Sequence, residues 1–268
     1  KYHATAGPGL QWNPPLIDER IMVNTTRYGG CGGARAVYSA GHPAGGGIEE
    51  QDQTREQRQP EVGVPREDRD QLGAEGPAWQ QRRKESNAFL LGLDSPGLTV
   101  YPYFFIWNDF AVEQLTAAHR GIKWHRHAGE PVYCYDDPRC RIALDEIRRR
   151  NLPVVLEEEL GNTLHFVRKL ADGITVIIPH LGLLNGGFRS IAEAGLWEQE
   201  NVWADTALAS RDEIRGYLRR FGHRRLLFGS DFPFGSPSAE LRKVRRLGLD
   251  PDVEAAVLGG NFRRLQGS

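Results

Sequence analysis

Near the C-terminus the chain reads RRLLFGSDFPFG, residues 224–235, and a greasy run there ends on a carboxylate, Asp231. A charge at the mouth of a buried strand is costly unless something cationic meets it. Other ionisable residues stand at equivalent places, each after a short apolar run. His125 and His127 follow GIKW, Glu157, Glu158 and Glu159 follow PVVL, His180 follows VIIP, and Asp205 follows VWA. Imidazoles and carboxylates gathered around one point form the ligand set of a divalent transition metal such as zinc. Such an ion supplies the missing positive charge. Water bound to it, with its pKa lowered to about 7, is a hydrolytic nucleophile.

Each position also has a plainer structural account. Asp231 could cap the next helix or accept turn amides, and His180 could be a hydrogen-bonded loop residue. His125 and His127 share one strand face, as a ligand pair, as pocket residues or as surface residues. Glu159 suits the first turn of a helix, whereas Glu157 still belongs to the apolar run. Lys123, inside GIKWH, is expected to be buried and paired with Glu157 or Asp205. His119, His165 and His223 fall in helical patterns and receive no role. Cys134 and Cys140 flank YDDPR with no histidine at a diagnostic spacing for nucleophilic catalysis.

The elements that must position these groups follow from the pattern of apolar runs. LTVYPYFFIW, GIKWH, LPVVLE, ITVIIPH, NVWADT and RLLFGSD alternate with helical stretches such as DFAVEQLTAAH and PRCRIALDEIRRRN. Continuous apolar runs separated by helices indicate parallel strands buried on both faces. Strands at 98–106, 121–125, 153–157, 174–179, 201–205 and 225–228 join two earlier candidates at 1–4 and 34–39. Together they make about eight βα units, the count of a (β/α)8 TIM barrel. An open doubly wound sheet is the alternative, but no glycine-rich phosphate fingerprint follows any strand. Residues 1–268 are therefore expected to form a single α/β domain, distorted or incomplete in its N-terminal third. Residues 41–77 hold few sizeable aliphatics and read as a low-complexity loop or disordered excursion.

Composition narrows the class further. With 40% apolar and 26% charged residues the chain resembles a soluble globular protein. A formal net charge of −1 gives no reason to expect nucleic acid or an anionic membrane as partner. Three cysteines without framework spacing favour free thiols and a reducing, cytoplasmic compartment. No run reaches a membrane span and no signal-peptide core is present, although the chain opens on Lys1 rather than Met. A small-molecule substrate is the expected partner, with a homo-oligomer left open.

Taken in order, GIKWHRHAGEPVYCYDDPRC, LPVVLEEE, ITVIIPHLG, VWADT and RLLFGSDFPFG…NFRRL resemble the amidohydrolase superfamily. The branch is amidohydrolase-2, whose members include aminocarboxymuconate-semialdehyde-decarboxylase-like enzymes. The likeness spans roughly residues 88–265. It implies a distorted TIM barrel with a metal at the C-terminal mouth, Asp231 as ligand and proton acceptor, and His180 as ligand or proton shuttle. The family's first strand ends in His-x-His, where KYHAT offers His3 and Thr5. Its fifth strand ends in histidine, where this chain has Glu157, a harder ligand that tolerates manganese or magnesium besides zinc.

The leading expectation is a metal-dependent hydrolase of an amide, ester or lactone bond. The metal is held by Asp231, His180 and Glu157 with His3 or His125, and Asp231 carries the proton. Lys123, Arg126 and His127 are the candidate substrate contacts. Non-oxidative decarboxylation on the same centre and a degenerate, non-catalytic barrel are the alternatives.

Overall fold

A computed structural model describes residues 77–94, 99–126 and 132–267. The elements expected within residues 1–76, most of the 41–77 segment, His3 and His127 lie outside the described residues. Six strands are described: β1 (Tyr103–Ile106), β2 (Gly121–His125), β3 (Val154–Glu157), β4 (Val176–Ile178), β5 (Val202–Asp205) and β6 (Leu226–Leu227). They coincide with the last six apolar runs of the sequence. All are parallel and lie side by side in chain order. Sequential parallel strands joined by crossovers build the wall of a βα barrel, and the chain has that α/β fold.

The outer layer comprises α1 (Pro77–Leu91), α2 (Pro138–Arg149), α3 (Leu160–His165), α4 (Phe188–Glu193), α5 (Arg211–Phe221), α6 (Pro237–Arg245), α7 (Pro251–Ala255) and α8 (Asn261–Gln266). Local chemistry sets where they start. Asp137 caps α2 by accepting the Arg139 N–H at 2.8 Å, with Pro138 in the first turn. Ser210 and Glu213 form a reciprocal capping box on α5. The stretch DFAVEQLTAAH is not the expected helix. Phe110 is buried with φ 52°, and Thr116 donates its N–H to His119 Nδ1. These local bonds leave one 3-10 turn at Val112–Gln114. His119 therefore lies in a loop. None of the described helices is long and apolar enough to cross a membrane.

Period-two alternation along each strand separates two apolar regions. Phe104, Ile106, Ile122, Trp124, Val154, Leu156, Val176, Ile178, Val202, Ala204 and Leu226 point outward into the core shared with the helices. Tyr103, Val155, Ile177 and Leu227 point inward and pack with Tyr101 and Phe262. Lys123, His125, Glu157 and Asp205 belong to that same inward series: Lys123 stands level with Val155 and Asp205 with Leu227, while His125 and Glu157 lie two residues further toward the strands' C-terminal ends.

The terminal GGNFRRL serves this inner region. Asn261 Nδ2 donates to the carbonyls of His223 and Leu226 at 2.7 and 2.8 Å. Phe262 meets Tyr101 edge to face at 5.2 Å, and Gln266 donates to the Tyr103 hydroxyl. At the other edge, Asn87 on α1 bonds both the N–H and the carbonyl of Phe105, at 2.8 and 3.1 Å. An amide side chain thus stands where a neighbouring strand would bond.

Gly121 leaves the space that the Tyr103 ring fills, since a Cβ there would lie 2.4 Å from ring carbons. Tyr103 is buried and anchored through its hydroxyl, so the ring has nowhere to move. Gly121→Ala is expected to cost about 1–3 kcal/mol of stability through overpacking. Urea unfolding checks this, and an unchanged midpoint would show that the ring yields freely.

Candidate active site

β2 projects Lys123 and His125 onto the inner face two residues apart, and the β2–β3 register sets His125 opposite Glu157. Lys123 Nζ donates to Glu157 Oε2 at 2.7 Å, and His125 Nε2 lies 3.1 Å from Glu157 Oε1. One carboxylate therefore engages both neighbours. All three side chains are at most 6% exposed, a burial that carboxylates and ammonium groups tolerate only when paired.

His180 enters from the Pro179–Gly182 turn after β4 with φ 57°, and Leu181 follows at φ 48°. Left-handed backbone in such residues costs about 1–3 kcal/mol each and persists only where the surroundings hold it. Here the His180 N–H donates to Asp205 Oδ1 at 2.9 Å, and the same oxygen accepts the Ala207 N–H at 3.0 Å. The His180 ring is thereby aimed at the mouth. Its Nε2 lies 3.7 Å from Glu157 Oε2 and 3.9 Å from Asp231 Oδ2, and its Nδ1 lies 3.9 Å from Asp205 Oδ1.

Asp231 also has left-handed backbone, with φ 50°. Its own carbonyl accepts the Phe234 and Gly235 amides at 2.8 and 3.0 Å. Ser236, not Asp231, stands at the N-cap of α6, so the capping account of this aspartate does not hold. Gly229 lets the loop run close to Asp205, because a Cβ would meet the Asp205 carboxyl carbon at 3.0 Å. Backbone shape and a small residue together place three carboxylates around His180.

Their titration reflects the crowding. Burial pushes the Glu157 carboxyl up, but the Lys123 and His125 charges and hydrogen bonds from His125 and His180 outweigh it, leaving the pKa well below the ordinary range. Burial pulls His180 down. Its hydrogen bond to Glu157 and the charges of Asp205, Glu157 and Asp231 outweigh that and hold its pKa up. Asp231 is raised, first by burial and then by Glu157 and Asp205, against the opposing pull of His180 and Lys123.

These residues fit a divalent ion in donor type and in charge. Three carboxylates face one ammonium and two imidazoles, an excess of two negative charges when both rings are neutral. Donors on a zinc-sized ion stand about 3–3.5 Å apart, close to the 3.1–3.9 Å separations among His125, Glu157, His180 and Asp231. Among the described residues no group of three or more His, Cys, Asp or Glu side chains is placed to hold a metal ion. The candidate first-strand ligand, His3, lies outside them.

Around this centre the structure adds partners that the strand-end reading missed. The Tyr133 hydroxyl donates to the carbonyls of Ile106 and His125 at 2.9 and 3.0 Å, tying the tops of β1 and β2 together. Arg126 Nε and Tyr135 donate to the buried Glu158 at 3.0 and 3.1 Å. Lys123 and Arg126, candidate contacts for a substrate carboxylate, are each met by a carboxylate of the chain itself. Gly182 and Gly186, both at positive φ, would place a Cβ 3.0 Å from Ile191 and 2.8 Å from Leu160, so their smallness serves loop packing. Cys140 is buried and Cys134 exposed, both as free thiols.

Glu157→Gln leaves the Lys123 ammonium buried without its counter-charge, which is expected to cost about 3–5 kcal/mol. Most of that should return in the Lys123→Met/Glu157→Gln double variant. Urea unfolding of the metal-free protein checks this, and simply additive losses would show that the two side chains are not coupled. The depressed pKa adds a pH sign. Stability from Glu157 is complete above its ordinary value of 4.5 and is lost as pH falls through the lower folded value.

Comparison with known proteins places this mouth in context. A family model described as amidohydrolase matches residues 117–267. No curated protein sequence matches the chain. Among solved structures, a 2,6-dihydroxybenzoate decarboxylase is similar with a TM-score of 0.54 at 14% identity, covering 70% of this chain and 77% of that one. An amidohydrolase from Burkholderia multivorans with bound zinc gives 0.54 at 20% identity, over 69% and 79% of the two chains. The 5-carboxyvanillate decarboxylase of Sphingomonas paucimobilis gives 0.51 at 12% identity, over 69% and 71%. At these identities the likeness is one of fold.

Proposed function

Because the chain belongs to the amidohydrolase family, we propose that it is a metal-dependent hydrolase acting on an amide, ester or lactone bond of a small molecule. The observation that carries this reading is the buried excess of carboxylate at the barrel mouth, interleaved with two imidazoles. Asp231, His180, His125 and Glu157, with His3, are the proposed ligands of a divalent metal, zinc first and manganese or magnesium next. When bound, that ion would polarise the scissile carbonyl and acidify a water molecule.

The chain's own residues divide the remaining work. Asp231 takes the proton of the attacking water at Oδ2 and returns it to the leaving group. Its raised pKa suits both transfers. Lys123 keeps Glu157 ionised, so that this carboxylate donates electron density rather than a proton. Asp205 fixes the His180 backbone and hence the direction of its ring. His127, on the segment leaving β2, is the proposed contact for an anionic part of the substrate, with Arg126 contributing only if it leaves its pairing with Glu158. Non-oxidative decarboxylation would use the same centre, with loss of carbon dioxide in place of water addition. A cytoplasmic location is consistent with two free thiols.

Asp231→Asn is expected to lower kcat by about 10²–10⁴-fold, the usual contribution of a general acid–base group, in a protein that still unfolds cooperatively. Turnover on a panel of lactones, esters and amides, with carbon dioxide measured in parallel, separates hydrolysis from decarboxylation. Undiminished turnover in Asp231→Asn rejects its role. Chelation should abolish activity and zinc or manganese should restore it, while a metal-to-chain ratio near zero that neither ion raises would overturn the metal assignment.

A further inference from the structure

Outside the mouth, the face of α6 turned toward the start of α5 carries an unbalanced group of cations. Ala239, Arg242, Lys243 and Arg246 recur at helical i, i+3, i+4 and i+7 spacing and so share one face. With Arg211 at the start of α5 they line a cavity of about 330 Å³. Four of its five lining residues are basic and none is acidic. Glu240, the acid within the α6 stretch, is turned to other partners: it binds Lys243 and accepts the Leu208 N–H at 3.2 Å. Asp212, beside Arg211, is paired with Arg215 at 3.7 Å. Among the described residues Arg211, Arg242 and Arg246 have no carboxylate partner.

The cavity also has a fixed floor. Lys243 Nζ donates to the carbonyls of Thr206 and Ala209 at 3.0 and 2.7 Å, pinning α6 to the loop that follows Asp205. Ala239, the smallest of the lining side chains, stands at the N-terminal end of that face. Three guanidinium groups, all on exposed residues, border this one depression. Each offers the planar fork of donors that matches the oxygens of a phosphate.

We propose that this cavity binds a small molecule bearing a multiply charged phosphate, at a site separate from the barrel mouth. A compact polyanion fits better than a nucleic acid strand. The basic group spans only about two turns of α6 and the start of α5, too short a track for a strand of phosphates, and the chain as a whole carries a net charge of −1. The ligand would bridge α5 and α6 and so brace the loop leaving Asp205. This assignment stands apart from the reaction proposed for the mouth.

Pyrophosphate is the probe, titrated calorimetrically into the full chain in metal-free buffer at constant ionic strength. The expected result is saturable one-to-one binding with a rise in Tm. Affinity should fall at least about ten-fold in Arg242→Glu/Arg246→Glu, since a charge-assisted hydrogen bond from each guanidinium holds the anion. Both side chains are exposed, so the variant should fold as the parent does. Arg219→Glu, a charge reversal on an exposed part of α5 that does not line the cavity, should bind as the parent. Binding unchanged in the double variant, equal loss in Arg219→Glu, or a Tm rise matched by sodium chloride at the same ionic strength would each overturn the proposal. These readouts need no turnover, so they hold or fail whatever the mouth catalyses.

Discussion

Glu157, Asp205 and Asp231 are held at the open end of a barrel whose floor is apolar. Removing a carboxylate from water costs several kcal/mol unless charge or hydrogen bonds replace the solvent, and the surrounding architecture answers that demand. Lys123 rises from the same strand face as His125 to neutralise Glu157. Asp205 is satisfied by two backbone amides. Asp231 is the least compensated, half-buried and, among the described residues, bonded to no side-chain cation within hydrogen-bonding reach. The poorest-paired acid of the mouth thus stands beside an imidazole, 3.9 Å from His180 Nε2.

The two ends of the barrel divide the labour. At the floor, Tyr103, Val155, Ile177, Leu227 and Phe262 form an apolar interior on which the last helix is seated. At the mouth the same inward series turns polar. Floor packing fixes the separation of the strands and so the spacing of Lys123, His125 and Glu157. Tyr133 then secures the tops of β1 and β2 through two carbonyls. Rigid strands set the position of three groups. His180 and Asp231 arrive instead on turns with left-handed backbone, where strain persists because the neighbouring bonds hold it.

Beyond the mouth, the outer helices carry a second electrostatic imbalance of opposite sign. Basic residues on one face of α6 border a depression with Arg211. Lys243 links that region to the loop after Asp205. Negative excess inside and positive excess outside are thus separated by one strand–helix loop.

Much of this was legible in the linear chain, because burial on both faces forces strands to read as unbroken apolar runs. The runs beginning near Leu98, Gly121, Pro153, Thr175, Val202 and Leu226 are the six described strands, and the polar residues ending five of them converge on one mouth. Side-chain alternation likewise makes Lys123 and His125 inward neighbours. Which carboxylate Lys123 selects was open between Glu157 and Asp205, since the choice depends on strand register across residues far apart in sequence. The left-handed backbone of His180 and Asp231, the hydroxyl bridge of Tyr133 and the burial of Glu158 by Arg126 and Tyr135 left no mark in composition or spacing. The helix expected over DFAVEQLTAAH gave way to a buried Phe110 and a Thr116–His119 contact. Periodicity is a property of the chain itself. Pairing, loop conformation and charge balance arise between segments, and only the packed molecule decides them.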